Sequence, residues 1–293
     1  MRIAHFSDLH VLRPPRSGDL LGKRLLGAAN LYLAGRSRRF CDASVRALVA
    51  AVEALAPDVC LCTGDFTAMA TEAEFAAARA LLDPVLARFP FIAVPGNHDA
   101  YTREAHRERR FERFFGAWSG GSSYPALRVL GEVAFVGLDC AVPHPLWATG
   151  MVGAEQLTAF EALLGSPDLA GRAVVVLLHH PLRDRAGAPF PHATRRLRDA
   201  TEVERIMARR GGVAMVLHGH EHHGFRTTLP SPAGPIPIFN PGAGGRTESP
   251  ARGQTAHLNL YEVTAAGLLG MERWALDGGR FVPEPGGPYA SGR

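Results

Sequence analysis

Five short polar clusters carry residue types that bind hard or borderline metal ions. They are Asp8-Leu9-His10, Gly64-Asp65, Gly96-Asn97-His98-Asp99, His179-His180-Pro181 and Gly219-His220-Glu221-His222. Asp65 is the natural bridge, because a carboxylate can share its two oxygens between two cations. Asp8 and His10 stand two residues apart and can grip one ion together. Asn97 offers a neutral carbonyl oxygen, and His179, His220 and His222 offer imidazole nitrogens. Such a mixture suits iron, manganese or zinc better than calcium or magnesium. Paired ions roughly 3.5–4 Å apart clamp a phosphoryl group and activate a water to attack it.

Each cluster must be placed by a regular element. Arg2 to Ser7, Asp58 to Thr63 and Phe91 to Pro95 read as short or buried strands that end at the first three clusters. Val174 to Leu178 precedes His179, and Val213 to Leu217 precedes His218. In open α/β sheets the working residues lie just beyond the carboxyl ends of the strands, so the clusters should converge on one rim. Helical patterns separate these strands, at Ala43–Leu55, Arg103–Phe115, Gly153–Leu164 and Thr201–Arg210. A further helix over Thr71–Phe89 opens on a Thr71-Glu72-Ala73-Glu74 cap. Ala126–Leu130 and Val133–Asp139 read as paired strands around Gly131. After residue 222, strand patterns dominate at 224–229, 236–240, 255–263 and 268–276. These four strands are expected to form a second sheet packed on the first.

At 293 residues the chain can bury a large core. Clusters that run from residue 8 to residue 222 and must meet favour one domain over 1–281, with a loose Pro/Gly-rich tail over 282–293. Hydrophobic residues make up 46% and charged residues 20%, an ordinary globular balance. The net charge of +4 comes from arginine, since Lys23 is the sole lysine. No 18-residue apolar run indicates a membrane span. A cleaved leader would take Asp8 and His10 with it, so a cytoplasmic location is expected. Cys60 and Cys62 share one face of a strand and read as buried free thiols.

As an ordered set, Asp-x-His, Gly-Asp, Gly-Asn-His-Asp, His-His-Pro and Gly-His-x-His resembles the calcineurin-like metallophosphoesterase superfamily over residues 3 to 222. The resemblance implies an α/β fold (α+β), a two-sheet β-sandwich flanked by helices in four layers, with the site at the sheet edge. It implies two metal ions, divalent or trivalent (iron, manganese or zinc). One would be held by Asp8, His10, Asp65 and His222, the other by Asp65, Asn97, His179 and His220. His98 would be catalytic, acting on the phosphate or its leaving oxygen as a cationic stabiliser or general acid. Asp99 would orient His98 or cap the following helix. His5, His180, His218 and His223 neighbour the motifs without occupying ligand positions and read as structural.

The motif after Gly64-Asp65 departs from that of the protein phosphatases. Gly-Asn-His-Asp and the short Gly-His-Glu-His are similar to bacterial enzymes that cleave small phosphodiesters, as is Gly153-Ala154-Glu155-Gln156-Leu157. The expected activity is therefore hydrolysis of a small nucleotide, glycerol or lipid phosphodiester. The alternatives are a phosphomonoesterase, a nucleotide pyrophosphatase or a non-catalytic metal-binding scaffold. No specific nucleic-acid binding is expected. An insertion over Leu12–Phe40 reads as a helical lid, with membrane or lipid contact through 20–39 as the sharper alternative. The loops around Pro143–Trp147 and Pro189–His192 could roof the site, and Arg183, Arg185, Arg195 and Arg196 could contact phosphate.

Overall fold

The computed structural model describes residues 1–16, 24, 25, 27, 35–119, 123–144 and 146–290. Two six-stranded sheets face each other. The first contains β1 (Arg2–Phe6), β2 (Val59–Cys62), β3 (Phe91–Ala93), β10 (His257–Thr264), β11 (Gly267–Asp277) and β12 (Arg280–Pro283). The second contains β4 (Ala126–Leu130), β5 (Val133–Gly137), β6 (Ala173–Leu177), β7 (Val213–Leu217), β8 (Phe225–Leu229) and β9 (Ile236–Asn240). The strand order is β12-β11-β10-β1-β2-β3 in the first sheet and β4-β5-β6-β7-β9-β8 in the second.

Two-residue alternation explains the layering. In β2, Val59 and Leu61 point into the space between the sheets, where they join Ile3, Phe135, Val175, Leu177 and Met215. Cys60 and Cys62 point the other way, onto α1 (Asp42–Leu55) and α2 (Glu72–Arg88), among Leu48, Val52, Phe75 and Leu82. Both thiols are free, and burial pushes Cys60 up to about 12. On the far side, Val174 and Val176 of β6 pack against α5 (Ala154–Leu164) and α6 (Ala200–Arg210) through Phe160, Val203 and Ile206. The expected helix–sheet–sheet–helix layering is therefore what forms.

Three expectations need correction. The C-terminal strands do not make a sheet of their own. Strands β8 and β9 extend the β5-β6-β7 sheet, while β10 pairs antiparallel with β1. The clusters therefore sit on two facing rims, three on the first sheet and two on the second. The helix expected over Arg103–Phe115 breaks into α3 (Arg103–Arg107) and α4 (Arg110–Phe115), with Arg109 left-handed at φ 50°. The break turns Arg110 inward, where its guanidinium meets Ala70 O at 2.9 Å and the carboxylates of Glu104 and Glu108 at 2.8 Å.

The tail is not loose through residue 290. Val282 lies in β12, and Glu284 forms a 2.7 Å ion pair with Arg273 that is almost wholly buried. Tyr289 lies over the Arg273 guanidinium and donates its hydroxyl to Asn240 O at 3.0 Å. A Pro/Gly-rich composition hid one acid and one aromatic that dock the segment.

Most of the Leu12–Phe40 insertion lies outside the described residues, including Leu20 to Lys23 and Leu31 to Leu33. Where it is described, Arg24 and Phe40 anchor it. Arg24 is buried and bonds Met69 O, Ala70 O, Thr102 and Glu104. Residues 36–39 form a 3-10 turn, and Phe40 pairs with Arg246. No helix among the described residues is long and apolar enough to cross a membrane.

Removing one member of a buried ion pair strands the other, typically at about 3–5 kcal/mol. Glu284→Ala is expected to lower unfolding stability by about that amount in chemical denaturation. An unchanged midpoint would show that the tail is not docked. The expected cap at Thr71 forms as a full capping box with Glu74. Glu74 Oε2 accepts from Met69 N and Thr71 N, while Oε1 has no partner, and burial raises the carboxyl pKa to about 7. The folded state then holds this proton more tightly than the unfolded chain. Stability should therefore fall as pH rises from about 4.5 to about 7. Glu74→Gln should flatten that fall in thermal melts across the window.

Candidate metal centre

The candidate ligands follow the carboxyl ends of five strands. Asp8 and His10 follow β1, Asp65 follows β2, Asn97 follows β3 with the non-ligand His98 beside it, His179 follows β6, and His220 and His222 follow β7. The two rims bring them together. Asp8, His10, Asp65 and His222 each offer one atom, and these atoms all lie within 4.8 Å of one another. His10 Nε2 is 3.7 Å from Asp8 Oδ1, 3.5 Å from Asp65 Oδ2 and 2.9 Å from His222 Nε2. His222 Nε2 is 3.3 Å from Asp8 Oδ1.

A second set adjoins the first. His179 Nε2 is 3.3 Å from Asp65 Oδ2 and 3.2 Å from Asn97 Oδ1. His220 Nδ1 is 2.8 Å from Asn97 Oδ1 and 3.3 Å from His179 Nε2. Asp65 joins the sets through one oxygen rather than two. Its Oδ2 faces both His10 and His179, while Oδ1 accepts the His98 backbone N–H at 2.7 Å.

The donors fit metal ions. Atoms that coordinate one ion at about 2.0–2.2 Å stand roughly 3.0–3.5 Å apart, close to the separations seen here. Asp8 Oδ1 is buried and accepts no hydrogen bond. At His10 and His222 two imidazole nitrogens are aimed at each other, an arrangement that a shared cation satisfies better than one proton. Burial pushes the His220 and His222 imidazoles down, which keeps their lone pairs free. Burial alone would neutralise Asp65. The His179 and His98 imidazoles outweigh it and hold the carboxyl below its ordinary range. Asp65 in turn outweighs the burial of His179 and lifts that imidazole to about 9.

Glycines allow the approach. A Cβ on Gly96 would collide with Asp65 Oδ1 and the Asp65 amide nitrogen. One on Gly219 would collide with Ser7 Oγ and come within 2.6 Å of Asp8 Oδ2. The Gly before Asn97 and the Gly before His220 therefore bring neighbouring ligand loops into contact.

The His98 ring stands 4.7 Å from the His10 ring, beside the first set. Its Nδ1 donates to Ala68 O at 2.6 Å, which leaves the Nε2 lone pair free. Burial pulls its pKa down to about 3, and cations nearby would push the same way. Burial therefore favours the uncharged ring. Asp99 does not touch the His98 ring. Its oxygens accept from Phe66 N, Thr67 N, Gly96 N and the Thr67 hydroxyl, which locks the Asp65 loop to the Asn97 loop. It positions the loops that carry Asp65 and Asn97.

The histidines read as structural are mostly so. His5 bonds Thr63 and Tyr261, and His180 bonds Ala148 O and Cys140. His218 bonds Gly219 O. His223 differs, because it lines the cavity above the ligands. That cavity holds about 460 Å³ and also includes Arg39, Ala148, Arg195, Glu221 and Arg246. Of the loop arginines, Arg195 reaches it, bonded to Glu221 at 2.8 Å. Arg183 is committed to Glu204.

Phe40 and Arg246 were not singled out in the sequence. The Phe40 ring lies 4.4 Å from the His10 ring and 5.3 Å from that of His222. Gly244 N donates to Ser7 O and Gly245 N to Asp8 O, which seats Arg246 beside the site. The run Gly242-Ala243-Gly244-Gly245 was the available signal for this close approach.

Loading with manganese should give about two equivalents per chain by elemental analysis, one for each ligand set. Asn97→Ala should lose about one and Asp65→Asn more than one. Unchanged content in Asp65→Asn would remove it as the bridge.

The calcineurin-like phosphoesterase family model matches residues 1–224. No curated protein matches the chain. Among solved structures, a dimetal phosphatase from Danio rerio aligns at TM-score 0.63 and 15% identity, covering 96% of this chain and 98% of that one. A 5'-nucleotidase precursor from Thermus thermophilus aligns at TM-score 0.54 and 17% identity, over 98% of this chain and 55% of that one. A purple acid phosphatase from yellow lupin (Lupinus luteus) aligns at TM-score 0.54 and 13% identity, over 93% and 53%. The shared two-sheet fold and the family match over most of the chain agree, and the protein belongs to the calcineurin-like phosphoesterase family.

Proposed function

We propose that this protein hydrolyses a small phosphate diester with two metal ions held by Asp8, His10, Asp65, Asn97, His179, His220 and His222. The observation that carries the reading is the pair of ligand sets joined at Asp65 Oδ2, on the floor of a cavity whose wall includes Arg39, Arg195 and Arg246. The metals would supply charge neutralisation at the phosphoryl oxygens and a more acidic water.

The chain supplies the rest. Ala68 O fixes the His98 tautomer, so Nε2 accepts a proton from the attacking water and returns it to the departing oxygen. Tyr101 stacks on the His98 ring at 5.5 Å and holds its plane. Phe40 covers His10 and His222 and keeps bulk water from their exposed edges. A diester is favoured over a monoester because a second cavity adjoins the first along Glu221–His223 and Arg246, beside the phosphorus, where a further substituent fits.

Manganese- or iron-loaded protein is expected to hydrolyse bis(p-nitrophenyl) phosphate, and chelation should abolish turnover. His98→Ala should lower kcat by about 10²–10⁴ with metal content intact. A fully loaded wild-type protein that cleaves no aryl phosphoester would sink the proposal. A His98→Ala variant with undiminished kcat would remove His98 from the chemistry.

A further inference from the structure

Two cavities meet at Arg246. The one above the candidate metal ligands holds about 460 Å³, and a larger neighbour holds about 640 Å³. They share Arg246 and the segment Glu221–His223 as a common wall. Among the described arginines and lysines, Arg246 alone lines both. Its backbone is pinned by pairing with Phe40.

The Arg246 side chain is poorly satisfied. It is 7% exposed, and its Nε reaches no acceptor. Nη1 makes one long contact, 3.5 Å, with the carbonyl oxygen of His222. A buried guanidinium short of acceptors costs free energy until an anion meets it. The carboxylates nearby are engaged. Glu221 is held by Arg195 at 2.8 Å, and Asp184 Oδ1 accepts from Ala186 N and Ala188 N in its own turn. The other fixed charges along the two cavities include the cations Arg39 and Arg185. The wall is therefore built for a negative group of the substrate, set to one side of the candidate metal ligands.

We propose that Arg246 binds a second phosphate of the substrate, joined through one bridging oxygen to the phosphorus that is attacked. The substrate class is then a diphosphate ester, with the substituent on the second phosphate lying in the larger cavity against Phe190 and Phe225. This rests on the phosphoester hydrolase reading and narrows it. Arginine suits the task, because its planar fork matches two phosphate oxygens at once. In the reaction the water oxygen bonds to the first phosphorus, and the bond from that phosphorus to the bridging oxygen breaks. The bridging oxygen leaves on the second phosphate. Both products are monophosphate esters, and two protons pass to solvent at neutral pH.

The test is calorimetric titration of manganese-loaded, dialysed protein with uridine 5'-diphosphate and uridine 5'-monophosphate. The diphosphate should bind at least about tenfold tighter, the worth of one charged hydrogen-bonding contact. Arg246→Met should close most of that gap, and Arg246→Lys, which keeps charge without the fork, should narrow it. No gap in the wild type, or a gap untouched by Arg246→Met, overturns the second-phosphate site. If the Met variant does not fold, an untouched gap in the Lys variant overturns it instead. Hydrolysis of bis(p-nitrophenyl) phosphate by the same preparation reports separately on the parent reading. Turnover without an Arg246-dependent gap overturns the subsite alone. A gap without turnover overturns the hydrolase reading, and with it the substrate class proposed here, and leaves only a diphosphate-binding site at Arg246.

Discussion

Left-handed backbone at the ligand loops is the constraint on which the rest of the structure depends. Asp8, His10, Asp65, His220 and His222 have φ of 55°, 47°, 57°, 74° and 57°. L-residues avoid this region, and each instance costs on the order of 1–3 kcal/mol. The loops keep the conformation because they hold one another. Asp8 N donates to Gly64 O, His10 N donates to Asp65 O, and His220 N donates to Asp8 Oδ2. The third of these bonds crosses from the second sheet to the first. The two-sheet core presents both rims at the right spacing, and so makes the strained loops tenable.

The same constraint explains the small residues around the ligands. Backbones that bond directly to one another leave no space for a Cβ. The Gly-Asp, Gly-Asn and Gly-His pairs are therefore packing requirements as much as chemical ones. Asp99 belongs to this framework. It ties together the loops that carry Asp65 and Asn97, and through them the position of His98.

Much of the centre was legible because ligand types are rare and each follows an apolar strand. No single cluster was decisive, and it was the ordered set that pointed to Asp8, His10 and Asp65, which the structure brings together with His222; the capping signal at Thr71 and Glu74 was local. The assignment of strands to sheets was not legible. The pairing of β1 with β10 depends on a partner more than 250 residues away, and no local pattern encodes it. Arg246 was hidden for a related reason. An arginine in a glycine-rich loop looks like solvent-facing chain until the loop is seen to bond Ser7 and Asp8. The tail was misread because composition averages over residues. Glu284 and Tyr289 dock it, and the prolines and glycines around them dominate the count.

The long sequence separations carry a consequence for how the protein is made. His10 and His222 meet across 212 positions. The first candidate ligand set therefore cannot close until three quarters of the chain has been synthesised and the second sheet has docked on the first. Contacts this distant form late, because the loop between them must be closed before they reward the chain. A nascent chain that displays Asp8 and His10 alone offers only a weak, two-point grip to passing metal ions. The candidate donors are complete only once the second sheet has docked on the first.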